Sequence, residues 1–442
     1  MKPIAFYLPQ YHPIAENDEW WGKGFTEWTN VRKGLPNFEG HYQPHEPGEL
    51  GYYDLREVKT LRKQAALAHE YGIHGFCFYY YWFNGRRVLE RPLELFASTK
   101  DIPLEFCVCW ANENWTRTWD GQAKNILLGQ NHTPDDDVAF FKSLLPLFAD
   151  PRYIRVGGAP MVLVYRVDLF PDAKATAARW RKVAREAGFK DVHLCAVQFY
   201  GITDPRPWGF DAAVEFPPHQ LIGPENKPDP IPKFTNPKFS GGVVDYQKVM
   251  SQAMHRPMVD YARYRGVMPS WDNTARRQDT PHMFVNSSPM NYAQWLRRMV
   301  DQTRLIHPED RQFIFINAWN EWGEGCHLEP DARYGRQWLE ATYGALGSSP
   351  ALSAVLDRVR PEELTDEWRA VLEAFEASQR SVVALQEVIR RKTLLLAEQE
   401  VRLQGVGRQG VANGLKAVAK KELSRFPRVK GAIKLLRDRV RR

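Results

Sequence analysis

Eight short runs, each almost unbroken in apolar residues and rich in β-branched and aromatic side chains, recur along most of this 442-residue chain. They start at Pro3 (PIAFYLPQ), Gly72 (GIHGFCFYYYW), Pro103 (PLEFCVCWAN), Pro160 (PMVLVYRV), Val192 (VHLCAVQFY), Asp211 (DAAVEFPPH), Val267 (VMPSWDN) and Phe313 (FIFINAWNEW). A strand with water on one face alternates apolar and polar residues, whereas a continuous apolar run belongs to a parallel strand covered on both faces. Most of the runs are separated by stretches of helical spacing, expected at residues 55–71, 88–98, 135–147, 173–187, 245–263 and 292–306. Strand and helix in alternation predict an α/β fold, a (β/α)8 TIM barrel over residues 1–347, with an open doubly wound sheet as the competing arrangement.

Beyond residue 347 the pattern changes to continuous helix. Trp368, Phe375, Val382, Ile389, Leu396 and Leu403 recur every seven residues, so 348–404 reads as a helical segment and candidate coiled coil for a homodimer. Its companion seam is weaker, because Val371 and Leu385 alternate with Ser378 and Lys392, and a lone helix docked on the barrel is the other reading. The tail, 405–442, places Val429, Ile433, Leu436 and Val440 on one helical face among basic residues. Eleven Lys/Arg against two Asp/Glu fall in 411–442, so the formal charge of +7 resides in the tail and the barrel is near neutral. A basic amphipathic helix suits peripheral contact with an anionic membrane face, and a solvated tail is the bland alternative. A single aromatic, Phe426, falls among these charges, which argues against nucleic acid.

In a barrel of this kind the C-terminal strand ends build the site. Here each end carries polar or aromatic residues, and together with the long first loop they provide the candidate sugar contacts: Tyr11, Trp28, Tyr81, Trp110, Asn112, Glu113, Trp115, Trp271, Asp272, Trp319 and Asn320. Many of the 15 Trp, 18 Tyr and 23 Phe fall in polar segments instead of periodic runs, a placement that suits stacking on sugar faces. The segment Gly24-Phe25-Thr26-Glu27-Trp28-Thr29-Asn30 in the first loop is expected at the rim of the cleft.

The strongest local signal is Asn317-Ala318-Trp319-Asn320-Glu321-Trp322-Gly323-Glu324-Gly325, where the last strand runs out. Two carboxylates three residues apart on such a loop can face one cavity, with the glycines permitting the turn. Breaking a glycosidic bond needs such a pair: one carboxyl stays protonated for the leaving oxygen and the other stays ionised as base or nucleophile. Glu321 and Glu324 are therefore the candidate catalytic residues.

Other chemistries find less support. His41 and His45 have helical ligand spacing, but Pro44 and Pro47 break any helix there and H-E-x-x-H is missing, so no metal is expected. Gly40 to Gly51 and the Gly157-Gly158 pair lack the strand, turn and helix context of a phosphate loop, so no nucleotide cofactor is expected either. The five cysteines form no C-x-x-C pair and read as reduced structural thiols. The N-terminus carries no apolar stretch long enough for a signal peptide, which predicts a cytoplasmic protein, with the tail bringing it to the inner membrane face.

The motifs A-F-Y-L-P-Q-Y-H-P, G-F-T-E-W-T-N-V, F-Y-Y-Y-W-F, W-A-N-E-N-W-T-R-T-W-D-G and N-A-W-N-E-W-G-E-G-x-x-L-E-P, in that order from Pro3 to about Leu346, resemble the glycoside hydrolase family 99-like group, including WbsX-type glycosyltransferases. The resemblance implies the barrel and a role in making or trimming bacterial surface polysaccharide such as O-antigen or capsule. It implies, too, that Glu321 acts as a base on a sugar 2-hydroxyl, through an anhydro sugar, with Glu324 as acid and Tyr81, Trp110 and Trp28 as substrate contacts. Three readings follow: a glycosyl-cleaving or glycosyl-transferring enzyme, a non-catalytic glycan-binding scaffold, and a sugar-nucleotide-dependent transferase.

Overall fold

The computed structural model describes residues 1–117 and 122–347. The expected coiled coil and basic tail lie outside them. Eight parallel strands close into a barrel: β1 Lys2–Tyr7, β2 Gly75–Phe83, β3 Glu105–Trp110, β4 Ala159–Val164, β5 His193–Gln198, β6 Ala212–Glu215, β7 Arg263–Val267 and β8 Phe313–Ile316. Each pairs with the next in sequence, and β1 pairs with both β2 and β8, so no edge is left open. That closure decides between the barrel and the open sheet.

Around the barrel run α1 Val58–Glu70, α2 Arg91–Ser98, α3 Pro134–Phe148, α4 Ala173–Glu186, α5 Tyr246–Met254, α6 Pro289–Ile306 and α7 Gln337–Ala345. Their starts are written in the sequence. Thr133, Asp172, Asp245 and Ser288 each accept a hydrogen bond from a backbone N–H of the first turn, and prolines occupy the first turns of α3 and α6. The fifth connection, residues 199–211, holds the 3₁₀ turn Arg206–Trp208 in place of a helix. The helix expected over 245–263 stops at Met254, ahead of Pro257.

Strand parity sorts side chains between the barrel interior and the helix layer. Phe6 packs inside against Phe216, Phe315 and Tyr79, with ring centroids 4.8, 5.6 and 5.8 Å away. Cys77, Cys107 and Cys109 face one another nearby, and all five cysteines are buried and unpaired. The next residues of the same parity, Tyr81 on β2 and Ala111 after β3, reach the mouth.

The seventh strand differs from its expected position. It is Arg263-Tyr264-Arg265-Gly266-Val267, and Val267 is its last residue, not its first. Two arginines made the segment look unlike a buried strand. They are tolerated because Glu215, at the end of β6, lies 3.0 Å from Arg265, 3.5 Å from Arg263 and 3.0 Å from Arg256. The charges are buried as a group, the condition under which charge is kept inside a protein.

Candidate active site

The C-terminal strand ends surround a cleft of about 660 Å3, lined by Tyr79, Tyr81, Glu113, Trp115, Tyr165, Arg166, Trp271, Arg276, Glu321 and Glu324 among others. Two short antiparallel strands, Trp115–Arg117 and Gln122–Leu128, follow β3 at the mouth. The Trp115 ring packs edge-on against Tyr81 and Phe83 at 5.2 and 5.6 Å, and Trp20 of the first loop meets it at 5.8 Å. Aromatic side chains at fixed angles beside amide and carboxylate groups make a surface suited to the apolar faces and hydroxyls of a sugar.

At the floor, three carboxylates converge on one guanidinium. Arg276 donates from Nε to Glu27 at 2.8 Å, from one terminal nitrogen to Glu324 at 2.6 Å and from the other to Glu321 at 3.0 Å. Glu27 has no exposed surface and Glu321 is 5% exposed. Burial raises all three carboxyls above their usual range, opposed by Arg276. Glu321 is pushed up to about 8, first by burial and then by the neighbouring Glu324 charge. One cation among three buried acids favours keeping a proton on the carboxylates, which is the electrostatic setting of an acid/base pair.

Gly323, between the two glutamates, has no room for a side chain. A Cβ there would lie 1.9 Å from Glu27 Oε1 and 2.9 Å from Arg276 Nε. The following Gly325 adopts φ +55, the left-handed turn that swings the chain back toward Asp272. This loop geometry places Glu321 and Glu324 on one side of the cleft.

Of the sequence-derived contacts, Tyr81, Glu113, Trp115 and Trp271 line the cleft together with Glu321 and Glu324. The others stand behind its wall. Trp110 has the outward parity of β3 and stacks on Phe140 at 3.8 Å in the helix layer, so its expected place at the cleft is corrected. Trp319 is fully buried against Phe76, 5.0 Å away. Asn320 clamps the Leu8 backbone with its amide at 2.8 and 3.0 Å, and Tyr11 donates its hydroxyl proton to the Asn320 carbonyl. Asn112 brackets the Arg166 backbone at 2.8 Å on both sides, and that arginine in turn holds Glu113.

Trp28 packs between Tyr11 and Trp322 and donates to the Tyr53 carbonyl at 2.8 Å. Asp272 accepts from His41 and Gln43, both at 2.7 Å, while its own N–H donates to the Glu324 carbonyl at 2.6 Å. These residues hold the cleft-lining groups in place. Sequence reasoning missed Arg276, and it named Glu27 only as part of a rim segment. The single available signal was an arginine in the loop after the seventh strand, and arginines in loops are too common to single out.

A family model described as "Glycosyltransferase WbsX" matches residues 3–342, nearly all of the described barrel. The chain belongs to the WbsX family. Two curated relatives named "Uncharacterized protein WxcX", from two strains of Xanthomonas campestris pv. campestris, are 49% identical over 347 residues. The match covers 78% of this chain and 50% of each relative, so this WbsX chain spans about half the length of the curated relatives it matches. Among solved structures, a GH99 endo-alpha-mannosidase from Bacteroides thetaiotaomicron is similar at 13% identity and TM-score 0.47, covering 80% of this chain and 98% of that one. A "Glycoside hydrolase-like protein" is similar at 14% identity and TM-score 0.49, covering 78% and 93%. No described helix of the WbsX barrel is long and apolar enough to cross a membrane.

Proposed function

We propose that the chain is a carbohydrate-active enzyme of bacterial surface polysaccharide that cleaves or transfers glycosyl units with Glu321 and Glu324. The observation that carries this reading is the convergence of both carboxyls on Arg276 at the floor of an aromatic cleft. Membership of a family described as glycosyltransferases supports the sugar side of it. Glu324 gives its proton to the glycosidic oxygen as the bond to C1 breaks. Glu321 takes the proton of the sugar 2-hydroxyl as that oxygen attacks C1, and water or a sugar hydroxyl then opens the anhydro ring. Burial raises both carboxyls, so the pair carries at neutral pH the proton that this reaction delivers through Glu324.

This reading is tested by mass spectrometry of the host's own polysaccharide and lipid-linked oligosaccharides incubated with wild type and with Glu324→Gln. New glycan masses are expected with wild type alone, and their size separates hydrolysis from transfer. Glycan binding by both proteins with no new product from either would shift the function to a scaffold.

The pH profile offers a second check. A carboxyl raised to about 8 keeps its proton through neutrality and loses it as the pH climbs past that value. The high-pH limb of kcat/KM is therefore expected near pH 8. A high-pH limb near pH 5, as for unperturbed carboxyls, would contradict a shared proton in this site.

A further inference from the structure

Behind the catalytic loop lies a second cavity of about 250 Å3, bounded by the first loop, the end of β7 and residues 325–338. Three buried groups meet on its wall: His45 of the first loop, and His327 and Asp331 four residues apart after the last strand, whose ligand atoms all lie within 4.8 Å of one another. His45 Nδ1 is 2.9 Å from His327 Nε2, and Asp331 Oδ2 is 4.0 Å from the same His327 nitrogen. The opposite ring nitrogen of His327, Nδ1, sits 3.0 Å from the Glu329 carbonyl. A carbonyl can only accept, so Nδ1 carries the proton and Nε2 turns its lone pair toward His45 and Asp331. A backbone acceptor that sets the tautomer in this way is the usual outer partner of a metal-bound histidine.

We infer that His45 Nδ1, His327 Nε2 and Asp331 Oδ2 form a binding site for a divalent first-row transition cation, zinc above all. Two imidazoles and one carboxylate are a donor set that zinc accepts, with the fourth position left to water in the adjoining cavity. Tetrahedral ligands at zinc distances stand roughly 3.4 Å apart, between the 2.9 and 4.0 Å of the empty cluster. Those two separations each need a change of less than 1 Å, and the third, between His45 and Asp331, starts from within 4.8 Å. Without metal, His45 donates its Nδ1 proton to His327. On binding, that proton moves to His45 Nε2, so both imidazoles stay neutral. The site ties the first loop to the catalytic loop, because the Trp322 ring, one residue from Glu321, stacks on His327 at 3.6 Å.

The test uses the full chain, stripped with a chelator and titrated with ZnCl2 against a fluorescent zinc indicator, with thermal unfolding read in parallel. One equivalent of zinc and a rise in Tm are expected for wild type. His45→Ala and Asp331→Asn, each removing one ligand, are expected to weaken binding by roughly 100-fold or more and to lose the rise. Far-ultraviolet circular dichroism of the metal-free variants shows that each is folded. Failure of folded wild type to take up one equivalent would overturn the site, as would wild-type affinity in both variants.

Discussion

Arg276→Met is expected to lower turnover by roughly 100-fold to 1000-fold while leaving the cleft's aromatic lining in place, on the scale of losing a main electrostatic group of a site. The substitution removes the cation that contacts Glu27, Glu321 and Glu324 at 2.8, 3.0 and 2.6 Å. All three carboxyls are already raised by burial, with Arg276 as the opposing influence, and without it they rise further. A rise in both members of the pair works against keeping one of them ionised, which the reaction requires.

Stability follows with a definite sign. A carboxyl whose folded pKa exceeds its unfolded one weakens the fold as pH climbs from the unfolded value through the folded one, because the folded state must give up a proton it holds more tightly. Arg276→Met should therefore be close to wild type in stability at pH 5 and destabilised by about 3–5 kcal/mol at pH 8, the range for breaking a buried ion pair. Urea denaturation at the two pH values measures this. An equal loss at both would mean that packing, not charge, is what the arginine supplies. Arg276→Lys should recover little, since one ammonium cannot address three carboxylates in a fork.

Glu215→Gln is expected to destabilise the barrel by about 3–5 kcal/mol, a fall in Tm of roughly 10 °C. Glu215 faces Arg265 and Arg256, each at 3.0 Å, and Arg263 at 3.5 Å, and it accepts the Gly266 N–H at 3.1 Å. Arg265 is 1% exposed. The amide keeps the size and one acceptor but leaves buried guanidinium groups without a counter-charge. Arginine stays protonated throughout the accessible range, so this loss should be the same at pH 5 and pH 8, in contrast to Arg276→Met. A Tm within 2 °C of wild type would show that water or backbone carbonyls, such as the Ala253 oxygen 2.6 Å from Arg265, carry those charges instead.

These two arginine networks mark where sequence reading stops. Seven of the eight strands were legible because burial on both faces demands unbroken apolar runs, a one-dimensional signal. The seventh was not, because Arg263 and Arg265 become admissible only when Glu215 lies beside them, a fact of strand neighbourhood and not of composition. Glu321 and Glu324 were legible because two acids, three tryptophans or glycines beside them and a strand end occur within nine residues.

Trp110 reads as well as Trp115 in sequence, yet one stacks in the helix layer and the other lines the cleft. Parity on β3 decides between them, and parity needs the register of the sheet. Glu27 lies 249 residues from Arg276, Arg276 lies 45 from Glu321, and His45 lies 282 from His327. The amino-acid pattern was enough for the barrel and for the pairing of two acids in its last loop, since both rest on local patterns of burial and charge. Tertiary structure alone decided which cation balances the acids, which rings face the cleft and which histidines meet, because electrostatic and ligand distances exist only once the chain has closed.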